Sequence, residues 1–298
     1  MLGKRLLQEI RGRPLDLVPG RKVVSVNPGE WTSPFEGKGF EPRGYRDFAI
    51  GDNPRRIHLP TSARRGTPTI VERVALRDLK LMVVVDVAPS MVVRHKLVIQ
   101  HEAAAIMLYA AWQAETTFAL ALRTDAGVHT FGHGVGSRHF HHAFRILWQL
   151  LAGDAAAVPT GSNVHLRRCL PPGAMLVYCS DFLDPAGGPE RVDKLLRTVR
   201  RYDFLPVVIQ DALEAGFPVP KRGSLLGFRD PATGDGQELW ISRRTAGRIA
   251  ARNEARFADL VERFRSRDIR HIHLAEPGVA ATQAAIQAFF RRRRRAAA

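Results

Sequence analysis

Between Leu79 and Met91 the chain reads LKLMVVVDVAPSM, with an unbroken apolar run from Leu81 to Val85 that stops on Asp86. A continuous run rich in valine predicts a strand buried on both faces, as in the middle of a parallel sheet. The pattern then alternates. Lys96 to Glu115 is alanine-rich with strong helix formers and predicts a long helix. Thr117 to Arg123 predicts a strand, Asp125 to Gly127 a turn, and Val128 to Phe131 a short antiparallel partner strand. Ser137 to Leu151 predicts a helix with Ser137 as its N-cap. Met175 to Ser180 and Leu205 to Gln210 predict strands, with a helix over Pro189 to Arg201 between them. Strands alternating with helices imply an α/β fold, a doubly wound and mostly parallel sheet with helices on both faces.

Two stretches break the alternation. LLGFRD and QELWIS flank Pro-Ala-Thr-Gly-Asp-Gly, which predicts a β-hairpin insert near residues 224–242. Beyond it, Ser242 to Arg267 carries Ile249, Phe257, Leu260, Val261 and Phe264 on or near one helical face. Ile269 to Leu274 closes the sheet, and Ala280 to Phe290 is the last helix, with Arg291 to Arg295 as a solvated tail. The other break lies before the first core strand. Residues 1–78 form an Arg-, Gly- and Pro-rich segment, with one strand expected at Lys22 to Val26, and residues 79–298 form the sheet domain. Within the first, Glu30 to Glu72 is too dense in special residues for an idle loop and is expected to be ordered but non-helical. Its Arg43, Arg46, Arg55, Arg56, Arg64 and Arg65 lie among Asp47 and Asp52. Bidentate pairs would clamp irregular backbone, and the same residues left free would bind phosphate or a partner's carboxylates.

Composition changes the picture in one respect. The 298 residues carry a net charge of +16, which favours anionic partners: nucleic acid, anionic lipid or acidic protein surfaces. Only Cys169 and Cys179 occur, both in apolar context, so reduced core thiols and a cytoplasmic setting are expected. The sequence shows no run long enough to span a bilayer. His129, His133, His139, His141 and His142 crowd one region without zinc-ligand spacing and read as surface residues. The sequence has no Gly-Lys-Ser phosphate loop, Gly-x-Ser-x-Gly elbow or His-Glu-x-x-His, so the expected class is a binding protein, not an enzyme.

Open α/β sheets bind ligands beyond the carboxyl ends of their strands. Asp86 and Ser90 should therefore aim oxygens into such a crevice, unless Asp86 merely caps the next turn. Upstream, Glu41, Arg46, Phe48, Gly51-Asp52, Arg55, Ile57 and Ser62-Ala63-Arg64 recur at fixed intervals and run straight into the VVVDVAPSM strand. This pattern resembles the signature of the bacterial domain-of-unknown-function fifty-eight family, continued at Cys179 to Phe182, Asp230-Pro231 and Phe289 to Arg291. It departs from that signature at Pro42, Tyr45 and His58-Leu59, where the family usually has Asp-Trp in the last place. The resemblance implies a von Willebrand factor A-like domain with a metal-ion-dependent adhesion site. Its Asp-x-Ser-x-Ser motif here has Ala88 in place of the first Ser. The implied ligands are Asp86, Ser90, Ser162 (or Thr160) and Asp181, binding Mg²⁺ or Mn²⁺ weakly, with a partner's carboxylate completing the shell. The resemblance also implies a MoxR-type AAA+ ATPase and its client as partners, with methanol dehydrogenase assembly as one setting. Arg46, Asp52, Arg55, Arg56 and Arg64 are the expected partner-binding residues. A nucleic-acid-binding protein and a metal-dependent hydrolase using Asp86 and Asp181 are the alternatives.

Overall fold

A computed structural model describes residues 2–11, 15, 17–18, 31–36, 42–49, 57–77, 80–124, 127–153, 169–183, 188–215, 217, 223–229 and 233–297. Six strands form the central sheet: β4 (Lys80–Asp86), β5 (Thr117–Thr124), β6 (Gly127–Gly134), β7 (Met175–Ser180), β8 (Asp203–Ile209) and β11 (Ile272–Leu274). Their order is β11-β8-β7-β4-β5-β6, parallel throughout except for β6, which runs antiparallel at the edge. The architecture is the doubly wound α/β fold that the alternation predicts.

Strand periodicity explains why β4 is apolar from Leu81 to Val85. Leu81, Val83 and Val85 enter one core, while Met82 and Val84 enter the other. β5 and β7 divide in the same way, Phe118, Leu120 and Val177 on one side, Ala119, Ala121 and Leu176 on the other. On the first face pack α1 (Leu2–Arg11), α3 (Lys96–Gln113), α4 (Gly136–Leu151) and α8 (Val279–Ala297). On the second pack α5 (Gly188–Val199) and α7 (Arg243–Arg265), through Leu196, Val199, Leu260 and Phe264. Each fully buried apolar side chain contributes about 1.5–3 kcal/mol. The centre of the sheet is thus stable enough to hold the charged groups at its rim.

The N-terminal signature builds a three-stranded antiparallel sheet in the order β1-β3-β2, from β1 (Trp31–Glu36), β2 (Pro42–Asp47) and β3 (Thr69–Arg77). A helix, α2 (Leu59–Arg65), lies within it, where only non-helical structure was expected. The departure at His58 accounts for its start. His58 is the N-cap, and its Nδ1 accepts from the Thr61 amide. Gly66 ends the helix in the left-handed conformation at φ 71°. Ser62 ties the helix to β3: its hydroxyl donates to the His58 carbonyl and accepts from the Thr69 amide at 2.8 Å.

Three other expectations need correction. α4 begins at Gly136 with Val135 as N-cap and no side-chain cap bond, so Ser137 does not cap it. His129 is buried and not at the surface. The arginine run is helix, not tail: α8 continues to Ala297, since arginine is a good helix former and cations suit a helix C-terminus. Arg293 is bonded to the Asp203 carboxylate and the Val18 carbonyl, which fixes that end to the sheet. The other end of α8 is held by Glu102 of α3, whose carboxylate accepts from the Gly278 amide and the Thr282 hydroxyl. The strand expected at Lys22 to Val26 lies outside the described residues. The hairpin insert is present as β9 (Ser224–Arg229) paired with β10 (Gly236–Ile241). No helix among the described residues is long and apolar enough to cross a membrane.

Candidate ligand crevice at the switch point

The chain leaves β4 to one side for β5, then returns on the other side with β7. Such a reversal opens a crevice at the carboxyl ends of the two central strands. Asp86 ends β4, Ser180 ends β7, and Asp181 follows it directly. Asp86 is buried, and each of its carboxylate oxygens is engaged. Oδ1 accepts from the Ala88 amide at 3.1 Å and from Arg123 Nη1 at 3.0 Å. Oδ2 accepts from the Ser180 hydroxyl at 2.7 Å, and Ser180 in turn accepts from the Phe182 amide. Arg123 is in place because β4 and β5 run in register, with Asp86 opposite Arg123. Burial pushes the Asp86 carboxyl above its ordinary value, and the Arg123 guanidinium offsets part of that.

Asp181 has a different cation. Its Oδ2 accepts from Lys96 Nζ at 2.8 Å and its Oδ1 from the Leu183 amide at 2.9 Å. Lys96 is the first residue of α3 and has a side-chain exposure of 0%. Its ammonium also donates to Glu214 Oε1 at 2.6 Å. Glu214 belongs to the single-turn helix α6 (Ala212–Ala215) that follows β8. Asp211, just before that turn, accepts from Arg94 Nε at 3.2 Å. Behind these pairs, Gln100 Nε2 bridges the Asp86 and Cys179 carbonyls at 3.0 and 2.9 Å, joining α3 to both central strands. Arg94 and Phe182, which flank the crevice, are held at φ 53° and 54°. Left-handed backbone costs a residue with a Cβ roughly 1–2 kcal/mol, here at both edges of the charged cluster.

The implied ligands are distributed unevenly. Asp86 and Asp181 share the crevice, close enough that the Asp181 charge raises Asp86. Ser90 lies in the short 3₁₀ turn Pro89–Val92 beside them. Ser162 and Thr160 fall outside the described residues, as do Asp52, Arg55 and Arg56. Arg46 lies on β2, and Arg64 is exposed on α2. Arg65 reaches the Tyr45 carbonyl and lies over the Tyr45 ring, so this arginine serves backbone and aromatic contacts.

Do these residues fit a hard divalent cation? One feature does: the Ser90 hydroxyl is buried and has no hydrogen-bond partner among the described residues. The charges do not. Each crevice acid already faces a side-chain cation. A doubly charged ion about 4 Å from one of them would be repelled by roughly 8 kcal/mol at an effective dielectric of 20. Among the described residues, no group of three or more His, Cys, Asp and Glu is arranged to hold a metal. As built, this donor set does not suit Mg²⁺ or Mn²⁺.

A family model described as "Protein of unknown function DUF58" matches residues 44–259. The chain belongs to the DUF58 family. No curated protein matches it. The matched span runs from β2 to α7 and so takes in Asp86, Lys96, Arg123, Asp181 and Glu214. Sequence reasoning picked out Asp86 and Asp181 in this DUF58 chain and missed Lys96, Gln100, Arg123, Ser180 and Glu214. One signal for Lys96 was legible. A helix N-terminus repels cations, and the first turn of α3 contains no acid, so a lysine there needs carboxylates from elsewhere.

Proposed function

We propose that this DUF58 chain is a non-enzymatic adaptor that engages a MoxR-type AAA+ ATPase and its client during maturation of an enzyme complex. The β9–β10 hairpin carries the reading. Leu225 pairs with Trp240 and Leu226 with Leu239, so large apolar residues occupy both faces. Leu225 and Trp240 are nevertheless 57% and 65% exposed. Ile241 at the hairpin's base and Phe228 near its turn pack against Phe217 and Ala246, so one face is anchored while Leu225 and Trp240 lie on the other. Apolar pairs left exposed on the outer face of a ribbon suit a surface that a partner covers.

Two features agree with this. Leu59, where the family usually has Trp, is 76% exposed on α2. The net charge of +16 favours an acidic partner surface. The crevice groups are tied in ion pairs, an arrangement suited to recognition. Exposed arginines along the end of α8 favour nucleic acid as a second reading.

Titration calorimetry of the purified chain with a purified MoxR-type ATPase tests the proposal. A saturable complex is expected, weakened roughly tenfold or more by Leu225→Lys with Trp240→Lys. If no complex forms at low or moderate salt, while duplex DNA binds with a steep salt slope, the second reading replaces the first.

A further inference from the structure

We propose that the Lys96 ammonium takes the place of a divalent cation in this crevice, and that Glu214 supplies from within the chain the carboxylate that a partner would bring. The crevice then recognises an acidic segment of a protein partner without metal. That last step rests on the adaptor reading, whereas the exchange of metal for lysine does not.

The geometry separates a permanent ligand from a replaceable one. Asp181 is buried with Lys96, at 0% side-chain exposure for both, and its second oxygen is tied to the Leu183 amide. Glu214 stands at the mouth with 18% of its side chain exposed. Its other oxygen is held by the Asp211 amide of its own turn. Asp211 and Glu214 lie three residues apart and meet Arg94 and Lys96, two residues apart on the opposing segment. A short acidic turn is thus clasped by two cations. A partner presenting two carboxylates at similar spacing satisfies the same two cations once the α6 turn yields. A lysine donates up to three hydrogen bonds and needs no octahedral shell, so it can exchange one carboxylate for another while Asp181 stays in place. The lysine is part of the chain, so recognition does not depend on divalent-ion concentration.

The test uses the full chain freed of metal by a chelator, with Mn²⁺ as the first probe. Wild type is expected to show no saturable Mn²⁺ binding by calorimetry or electron paramagnetic resonance. Lys96→Met should gain Mn²⁺ affinity by roughly tenfold or more, because its acids lose their cation. A Lys96→Met chain that folds only when Mn²⁺ is supplied supports the proposal equally. The second probe is a glutamate-rich peptide. Glu214→Gln should bind it several-fold more tightly than wild type, and chelator should leave that binding unchanged. Saturable Mn²⁺ binding by wild type, a folded Lys96→Met chain without gained Mn²⁺ affinity, or a Glu214→Gln chain no better than wild type overturns the proposal. If the peptide and Mn²⁺ results hold but no AAA+ ATPase binds, the adaptor reading fails and the lysine-centred site stands.

Discussion

Lys96→Met in metal-free buffer is the sharpest perturbation of the fold. Methionine matches the length of the lysine stem, so the packing of the first turn of α3 is kept and the ammonium alone is lost. Asp181 is then left buried with one oxygen still bonded to the Leu183 amide and the other without its cation. Removing one partner of a buried pair costs about 3–5 kcal/mol, because the remaining charge stays desolvated. Glu214 adds little to that figure, since it reaches the mouth and can turn to water. Domains of this size lose roughly 2–4 °C per kcal/mol, so the melting temperature should fall by about 6–20 °C. Urea unfolding with an unchanged m-value would confirm a loss of stability without loss of compactness. The decisive control is the double variant with Asp181→Leu. Removing both charges should recover a large part of the loss, giving a coupling energy of about 2 kcal/mol or more. A Lys96→Met chain destabilised by less than about 1 kcal/mol, or a double variant no better than the single, would refute the claim that these charges are held for one another.

Three further outcomes follow from single groups. Ser90→Ala should be neutral or stabilising by about 0–1 kcal/mol in thermal melts, because its buried hydroxyl has no hydrogen-bond partner among the described residues. Burial pushes the Cys179 thiol up to about 12, so a thiol reagent on the native chain should modify Cys169 and spare Cys179 until denaturant is added. Burial holds His101 below its ordinary 6.5, so the unfolded chain takes up that proton first. Stability should therefore rise with pH up to about 6.5 and be lost progressively below it. His101→Gln should flatten that acidic limb, as measured by denaturant midpoints across pH.

The sheet was legible because its strands obey one rule along their whole length. Leu81 to Val85 must be apolar throughout when two cores meet at β4, and such a run has few other readings. The acids were legible for a related reason: Asp86 ends an apolar strand and Asp181 directly follows another, where a charge has nowhere else to go. Their cations were not. Lys96 lies 85 residues from Asp181 and Arg123 lies 37 from Asp86, while Glu214 lies 118 residues from the Lys96 it meets. Only topology brings them together. α2 was missed because its N-cap is a histidine, which ranks below Ser, Thr, Asp and Asn in that position. The end of α8 was missed because five consecutive arginines read as a repelling tail, whereas Arg293 has the Asp203 carboxylate to neutralise it.

The same reasoning gives the overall basic charge a location. The pairs that matter at the crevice are balanced one against one: Arg123 with Asp86, Lys96 with Asp181, Arg94 with Asp211. Glu214 is the additional acid, the least buried member of its pair, and it sits on the shortest helix. The described crevice pairs therefore contribute little to the net charge of +16; among the described residues, exposed arginines of α7 and α8 carry part of it on outer surfaces. On the proposed adaptor reading those charges would attract an acidic partner, with the attraction screened beyond about 8–10 Å at physiological salt. Inside the crevice the same partner meets unscreened cations already occupied by the chain's own acids, so it binds only where its carboxylates replace Glu214 with comparable geometry. Outer arginines would then set the rate of encounter, and the Lys96–Glu214 exchange the selection among acidic partners. Charge-reversing variants on α8 should slow association and reduce its salt dependence while leaving dissociation unchanged. Glu214→Gln should do the opposite, changing dissociation with little effect on association. Stopped-flow binding at two salt concentrations separates the two, and an α8 variant that alters dissociation alone would contradict this division of labour.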